Sequence, residues 1–205
     1  MFFKTSEGMR PAPLKHNPVN ALVCPRPIAW VSTLGADGTP NLAPFSYFNA
    51  VSADPPFVMF APNAKAAGAA KDSYANLLTT AEFVVSLVSR AQAEQMNATS
   101  KIYALGVNEF ERCGVTSAPS HTVRPPRVAG SHAAFECRVY QIIGLPVGSD
   151  QRESHVVIGE VTGIFIDDAV IVDGQVSERL LDPLARLGAF NYGTLGEILA
   201  IPRPA

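Results

Sequence analysis

Residues 27–34, PIAWVSTL, have the β-branched and aromatic character of a strand, and the GADGTP that follows carries Asp37-Gly38, a dipeptide made for a tight hairpin turn. The segment from Asn41 to about Ser52 is then the return strand, stopped by the ADPP of residues 53–56. Pro44 sits inside it. Proline has no N–H to give to a ladder, so this strand must run at a sheet edge or carry a bulge there. A hairpin with a proline in its second arm points to an antiparallel sheet with a defined edge, and the rest of the chain must be compatible with that.

The remaining segments agree. FVMF at 57–60 reads as a third, fully buried strand, EFVVSLV at 82–88 as another, and AAFECRVYQII at 133–143 as a long one with SHVVIGEVTGIFI at 154–166 as its hairpin partner. AVIV at 169–172 closes on a second turn signal, Asp173-Gly174. Asp72 can accept from the first amides of a helix over 73–80, where Ala75, Leu77 and Leu78 supply a short apolar stripe. Ser89 and Gln92 make a capping-box pattern that opens a second, largely exposed helix, RAQAEQMNA. Residues 114–131 form a Pro-, Ser- and Gly-rich crossing, long for a compact domain and for that reason expected to be functional. The tail around Phe190 and Tyr192 is expected to end loosely. About seven strands with two or three short inserted helices, and almost no βαβ alternation, predict an all-β antiparallel barrel.

At 205 residues, 47% hydrophobic and 17% charged, the chain can bury a sizeable core and is read as one domain, 1–205, with an N-terminal arm over about 1–20 and a C-terminal tail over about 180–205. A net charge of −2, with Lys and Arg scattered, gives no nucleic-acid footprint. Three cysteines without a C-x-x-C pair argue against a disulfide framework or a cysteine zinc site. No run approaches the roughly 18 apolar residues of a membrane span, and the N-terminus lacks the apolar stretch of a signal peptide. A reducing cytoplasm is the expected compartment, where the Asn97-Ala98-Thr99 sequon has no meaning for glycosylation.

Motifs for a nucleophile elbow, a P-loop, a dinucleotide turn and H-E-x-x-H are all missing. His16, His121, His132 and His155 show no ligand spacing, so no metal is expected. An enzyme without its own catalytic constellation takes its reactive group from an organic cofactor. Lys71, Asp72 and Ser73 place a lysine and a hydroxyl at a helix start, where amides and the helix dipole favour a phosphate. Phe45, Ser46, Tyr47, Phe48 and Asn49 follow Pro44, and Trp30, Ser32 and Thr33 lie across the hairpin, so the two segments could line a slot for a planar ring. Composition equally allows Trp30, Phe45 and Phe48 to be plain core, with Ser46 and Asn49 serving local backbone.

The series PRPIAWVSTLGADGTPNLAPFSYFNAVSADPPFVMFAP, KDSYANL, FVVSLV, MNATS, RPPRV, FECRV and VVIGEVTGIFIDD resembles, in order and over nearly the whole chain, the flavin reductase-like FMN-binding split barrels close to flavoredoxin. The resemblance implies a Greek-key-like split β-barrel, a homodimer with FMN near the subunit interface, and NADH or NADPH as hydride donor. It assigns Trp30 to Thr33 and Phe45 to Asn49 to the walls around the flavin, and Lys71, Asp72 and Ser73 to the phosphate-proximal turn. Asn97, Ala98, Thr99 and Ser100 match a polar loop that approaches the flavin in such dimers, from the partner chain in some arrangements. Smaller reductases of this kind carry Gly-Asp-His before the late strand; Glu153, Ser154 and His155 stand here, so only the histidine is left as a nicotinamide-contact candidate. The electrons would pass to free flavin, an iron chelate, a partner oxygenase or an electron carrier. The alternatives are an FMN-holding electron carrier that no nicotinamide reduces, and a split barrel without cofactor.

Overall fold

The computed structural model describes residues 1–63, 71–148 and 151–204. Its main feature is an antiparallel seven-stranded sheet. We number its strands β1 (Ala29–Leu34), β2 (Pro40–Phe45), β3 (Phe48–Ala53), β4 (Pro56–Phe60), β5 (Glu82–Leu87), β6 (Ala133–Gly144) and β7 (His155–Ile166). Their spatial order is β2-β1-β5-β6-β7-β4-β3.

The first hairpin forms as the sequence indicates. Asp37 accepts from the Thr39 amide and hydroxyl at 2.9 Å each, and Gly38 takes the left-handed φ of +85° that a side chain would resist. Pro44 pairs opposite Trp30, and β2 has no neighbour on its other side. The missing N–H therefore costs the ladder nothing.

The expected single return strand over 41–52 is in fact two. β2 stops at Phe45, the chain turns at Ser46 and Tyr47, and β3 starts at Phe48 on the opposite edge of the same sheet. The break lies two residues beyond Pro44, and side-chain parity explains it. Ala43, Phe45 and Phe48 all pack in one core cluster, yet residues three apart on a continuous strand point to opposite faces. The bend resets the parity. It also ties the two edges of the sheet together through two residues, so the sheet must curl into a barrel with Phe45, Phe48, Phe60 and Phe83 inside.

The outer face of β1 and β2 is also covered. Trp30 and Leu42 point away from the barrel into a second cluster with Ile28, Met96, Phe110 and Leu184. Burial on both faces is why IAWV at 28–31 is an unbroken apolar run. On β4 only Val58 and Phe60 are buried; Phe57 is half-exposed and packs edge-on against Tyr140 at 5.2 Å, so the expected full burial of that strand does not hold.

Three short helices flank β2. These are α1 (Asp72–Thr80), α2 (Ala93–Ala98) and α3 (Glu109–Arg112). α1 starts one residue earlier than expected, with Lys71 rather than Asp72 at its N-cap and no side-chain cap from it. The Ser89–Gln92 capping box is present and opens a 3-10 turn that runs into α2. The segment is largely exposed, as its composition suggests, with Gln92 buried and Met96 packed into the second core. α3 was not expected; Asn108 caps it by accepting from the Phe110 amide at 3.1 Å.

The crossing at 114–131 is tied down rather than loose. Ser117–Ala118 pairs with Arg127–Val128, the Ser32 hydroxyl donates to the Pro126 carbonyl at 2.5 Å, and the buried Glu136 carboxylate accepts from the His121 and Thr122 amides at 2.9 and 2.5 Å. AVIV is a 3-10 turn, Asp168–Val170, followed by a two-residue strand that returns over Asp173-Gly174. Before it ends, the tail is pinned: Tyr192–Gly193 pairs with Ala185–Arg186, which pairs with Arg26–Pro27, while residues 194–204 form no helix or strand and are exposed, the loose end expected.

Candidate cofactor site

β2 carries a groove along its outer side, made of two clefts that share Pro44 and Ser100. One, of about 50 Å³, is closed by the start of α1 and by the 99–102 segment after α2. The other, of about 220 Å³, runs over Phe45 and Ser46 toward Asn97, Arg186 and Tyr192.

The walls differ in character. At the rim of the first cleft the Lys71 ammonium stands 4.7 Å from the Phe45 ring centroid, and Lys101 lies across the opening with its ammonium 5.7 Å from the Tyr103 ring. The α1 N-terminus adds its dipole at the same place. The floor is formed by Ser73, Asn41 and Glu109, which are 1%, 6% and 4% exposed. Burial pushes the Glu109 carboxyl above the usual carboxylate range, and the nearby Asp72 charge adds to this, against the hydrogen bonds from Leu42 and Asn41 that favour its ionised form. In the second cleft the Arg186 guanidinium lies 4.5 Å over the Tyr192 ring and donates to the Tyr192 hydroxyl and the Ala189 carbonyl. Tyr192 in turn donates to Asn97 Oδ1 at 3.3 Å, which ties the tail to α2.

Of the residues singled out from sequence, Phe45, Ser46, Lys71, Asp72, Ser73, Asn97, Thr99 and Ser100 meet at this groove. The others do not line it. Trp30 is fully buried and donates from its indole to Thr99 Oγ1 at 2.9 Å. Ser32 is committed to Pro126, and Thr33 accepts from Asn76 Nδ2 at 3.0 Å. Phe48 is barrel core. Tyr47 is exposed and donates to Asn20 Oδ1 at 2.6 Å, while Asn49 is exposed and accepts from the Ala50 amide at 2.9 Å. Ala98 is exposed, with its carbonyl accepting from the Tyr103 hydroxyl at 3.3 Å. His155 lies apart from the groove, stacked on Tyr74 of α1 with ring centroids 4.1 Å apart.

Asn41, Lys101, Glu109, Arg186 and Tyr192 line the groove and were not foreseen. An N-cap signal at Asn108 was available to mark a helix start, but nothing local places Glu109 beneath a strand 67 positions earlier in the chain. Among the described residues no group of three His, Cys, Asp or Glu side chains is placed to hold a metal ion. The groove thus sets the apolar atoms of Phe45 and Pro44 beside the ammonium groups of Lys71 and Lys101.

Residues 21–178 match the family described as the flavin reductase like domain. A protein of Aquifex aeolicus is 38% identical over 175 residues, covering 85% of this chain and 86% of that one. Among solved structures, nitrilotriacetate monooxygenase component B from Bacillus cereus superposes with a TM-score of 0.89 at 27% identity, covering 98% of both chains. The 2-nitrobenzoate 2-nitroreductase NbaA of Pseudomonas fluorescens gives 0.83 at 28% identity, covering 100% of this chain and 96% of that one. With its curled antiparallel sheet, its groove beside the edge strand and this match over most of its length, the chain belongs to the flavin reductase like family and has that family's split-barrel fold.

Proposed function

We propose that this protein holds FMN in the groove along β2 and passes electrons from NADH or NADPH through it to an acceptor. The acceptor is free flavin, an iron chelate, or a partner oxygenase or electron carrier. The observation that carries the reading is the joining of the two clefts at Pro44 and Ser100 into one groove, with an apolar wall at Phe45 and cations at both ends. Bound FMN supplies the redox chemistry, accepting a hydride and releasing electrons. The chain's own part is binding and orientation. Phe45 and Pro44 present apolar atoms to a ring face, Ser46, Asn97 and Ser100 offer groups to its polar edge, and Lys71, Lys101 and the α1 N-terminus neutralise a phosphate.

Homodimerisation belongs to the same reading. It is supported by the exposed apolar side chains of the tail, Leu195, Ile198, Leu199 and Ile201, and by Val51 on the edge strand β3. All three cysteines are free, as a reducing compartment requires, and burial pushes the Cys137 thiol up so that it stays protonated.

The test is spectroscopic. The purified protein should retain FMN through a desalting column, and rapid mixing with NADH or NADPH should bleach the flavin band. A protein that keeps no FMN ends the reading; one that keeps FMN and is bleached by neither nicotinamide is an electron carrier instead.

A further inference from the structure

The floor of the first cleft is a buried polar relay with a forced direction. The Leu42 amide donates to Glu109 Oε2 at 2.9 Å, and an amide N–H can only donate, so that oxygen is an acceptor. Asn41 Nδ2 donates to the same oxygen at 2.9 Å, which turns the Asn41 carbonyl oxygen toward Ser73. Ser73 must then spend its single proton on Asn41 Oδ1, at 2.7 Å. What the relay leaves for the cleft is acceptor capacity on the Glu109 carboxylate and on Ser73 Oγ, with the Asp72 carboxylate beside them.

Such a floor does not suit a phosphate, whose oxygens are acceptors themselves and find no donor left on Asn41 or Ser73. It suits a chain of hydroxyl groups, each bringing a proton to donate. We propose that the floor of this cleft is a polyol subsite, in which Glu109, held by Asn41 and Leu42, accepts a hydrogen bond from a hydroxyl of the cofactor's sugar-alcohol chain. The inference rests on the flavin reading and moves the phosphate away from Ser73 to the rim at Lys71 and Lys101. Glu109 determines specificity; Asn41 and Ser73 are positioning residues.

The test compares FMN, riboflavin and lumiflavin, which share a ring system and differ in the polyol chain and the phosphate. Dissociation constants are measured by fluorescence for the wild type and for Glu109→Gln. Glutamine keeps the shape and an oxygen for Asn41 and Leu42, but loses the charge and turns an NH₂ to the cleft. The wild type is expected to prefer riboflavin to lumiflavin. Glu109→Gln is expected to cut that preference about tenfold, the loss of one charge-assisted hydrogen bond, with lumiflavin binding and the FMN-to-riboflavin ratio unmoved. A wild type indifferent to the polyol chain, parallel weakening of all three flavins, a change confined to the FMN-to-riboflavin ratio, or no change overturns the subsite and leaves the flavin reading standing. A wild type that binds none of the three overturns both.

Discussion

Phe45 ends one edge strand of the sheet and Phe48 begins the other, and both rings enter the same core. The Phe45 ring packs 5.1 Å from that of Phe60, which packs 5.2 Å from that of Phe83, so an aromatic chain crosses the barrel from the corner to the interior strand β5. The barrel's closure and the groove's wall thus depend on one residue, Phe45, which packs inside and also lines the groove.

Phe60→Ala should cost about 3–5 kcal/mol, because the ring is fully buried and touches both aromatic neighbours. Urea unfolding followed by the fluorescence of Trp30, the single tryptophan, would measure it. A cost under about 1 kcal/mol would mean that the core can collapse around the gap.

Gly159→Ala should destabilise by overpacking. A methyl group there would meet the Phe83 ring, with Cε1 at 2.7 Å, and Phe83 is itself fully buried between Phe60 and the sheet. A loss of about 1–3 kcal/mol is expected in the same unfolding assay. Phe83→Leu in that background should recover part of it.

Glu109 makes stability depend on pH. Its folded-state proton affinity is raised above that of the unfolded chain, so its contribution is fully present below the ordinary glutamate range and is lost as pH rises through the raised value. Glu109→Gln cannot lose a proton. The variant's stability relative to the wild type should therefore increase from about pH 4 to about pH 8, measured as the difference between paired urea midpoints. A difference that is flat with pH, or falls, would contradict the assignment.

Glu136 should show the opposite sense. Burial pushes its carboxyl up, but the His121 and Thr122 amides and the Thr122 hydroxyl together outweigh this and hold it below the usual range. Its stabilising contribution is present above the ordinary glutamate value and lost as pH falls through the lowered one. Glu136→Ala leaves those donors without an acceptor and should cost about 1–3 kcal/mol at neutral pH; hydrogen exchange at Thr122 should speed up in parallel.

Lys71→Ala should weaken FMN about tenfold while leaving riboflavin unchanged, as expected of a cation that meets only the phosphate. Fluorescence titration with both ligands separates this from general damage to the groove, which would weaken both.

The sequence by itself determined the antiparallel plan. Asp37-Gly38 specified a turn, Pro44 required an edge, and the paired runs at 133–143 and 154–166 specified the long hairpin, because each is a local rule about backbone geometry. The Lys71, Asp72 and Ser73 cluster was legible for the same reason, lying at the start of one helix. Tertiary structure decided what needed two distant segments. Whether PNLAPFSYFN was one strand or two depended on which face Phe48 had to reach, and that is set by Phe60 and Phe83 across the barrel. Trp30 carries an indole N–H and Ser32 and Thr33 hydroxyls in any context; only the packing of α1, α2 and the 114–131 crossing over β1 made them buried partners of Thr99, Pro126 and Asn76. Glu109 carries no local mark at all. Its role comes from a carboxylate placed under the Asn41 and Leu42 amides, a juxtaposition that exists only once α3 has docked on β2.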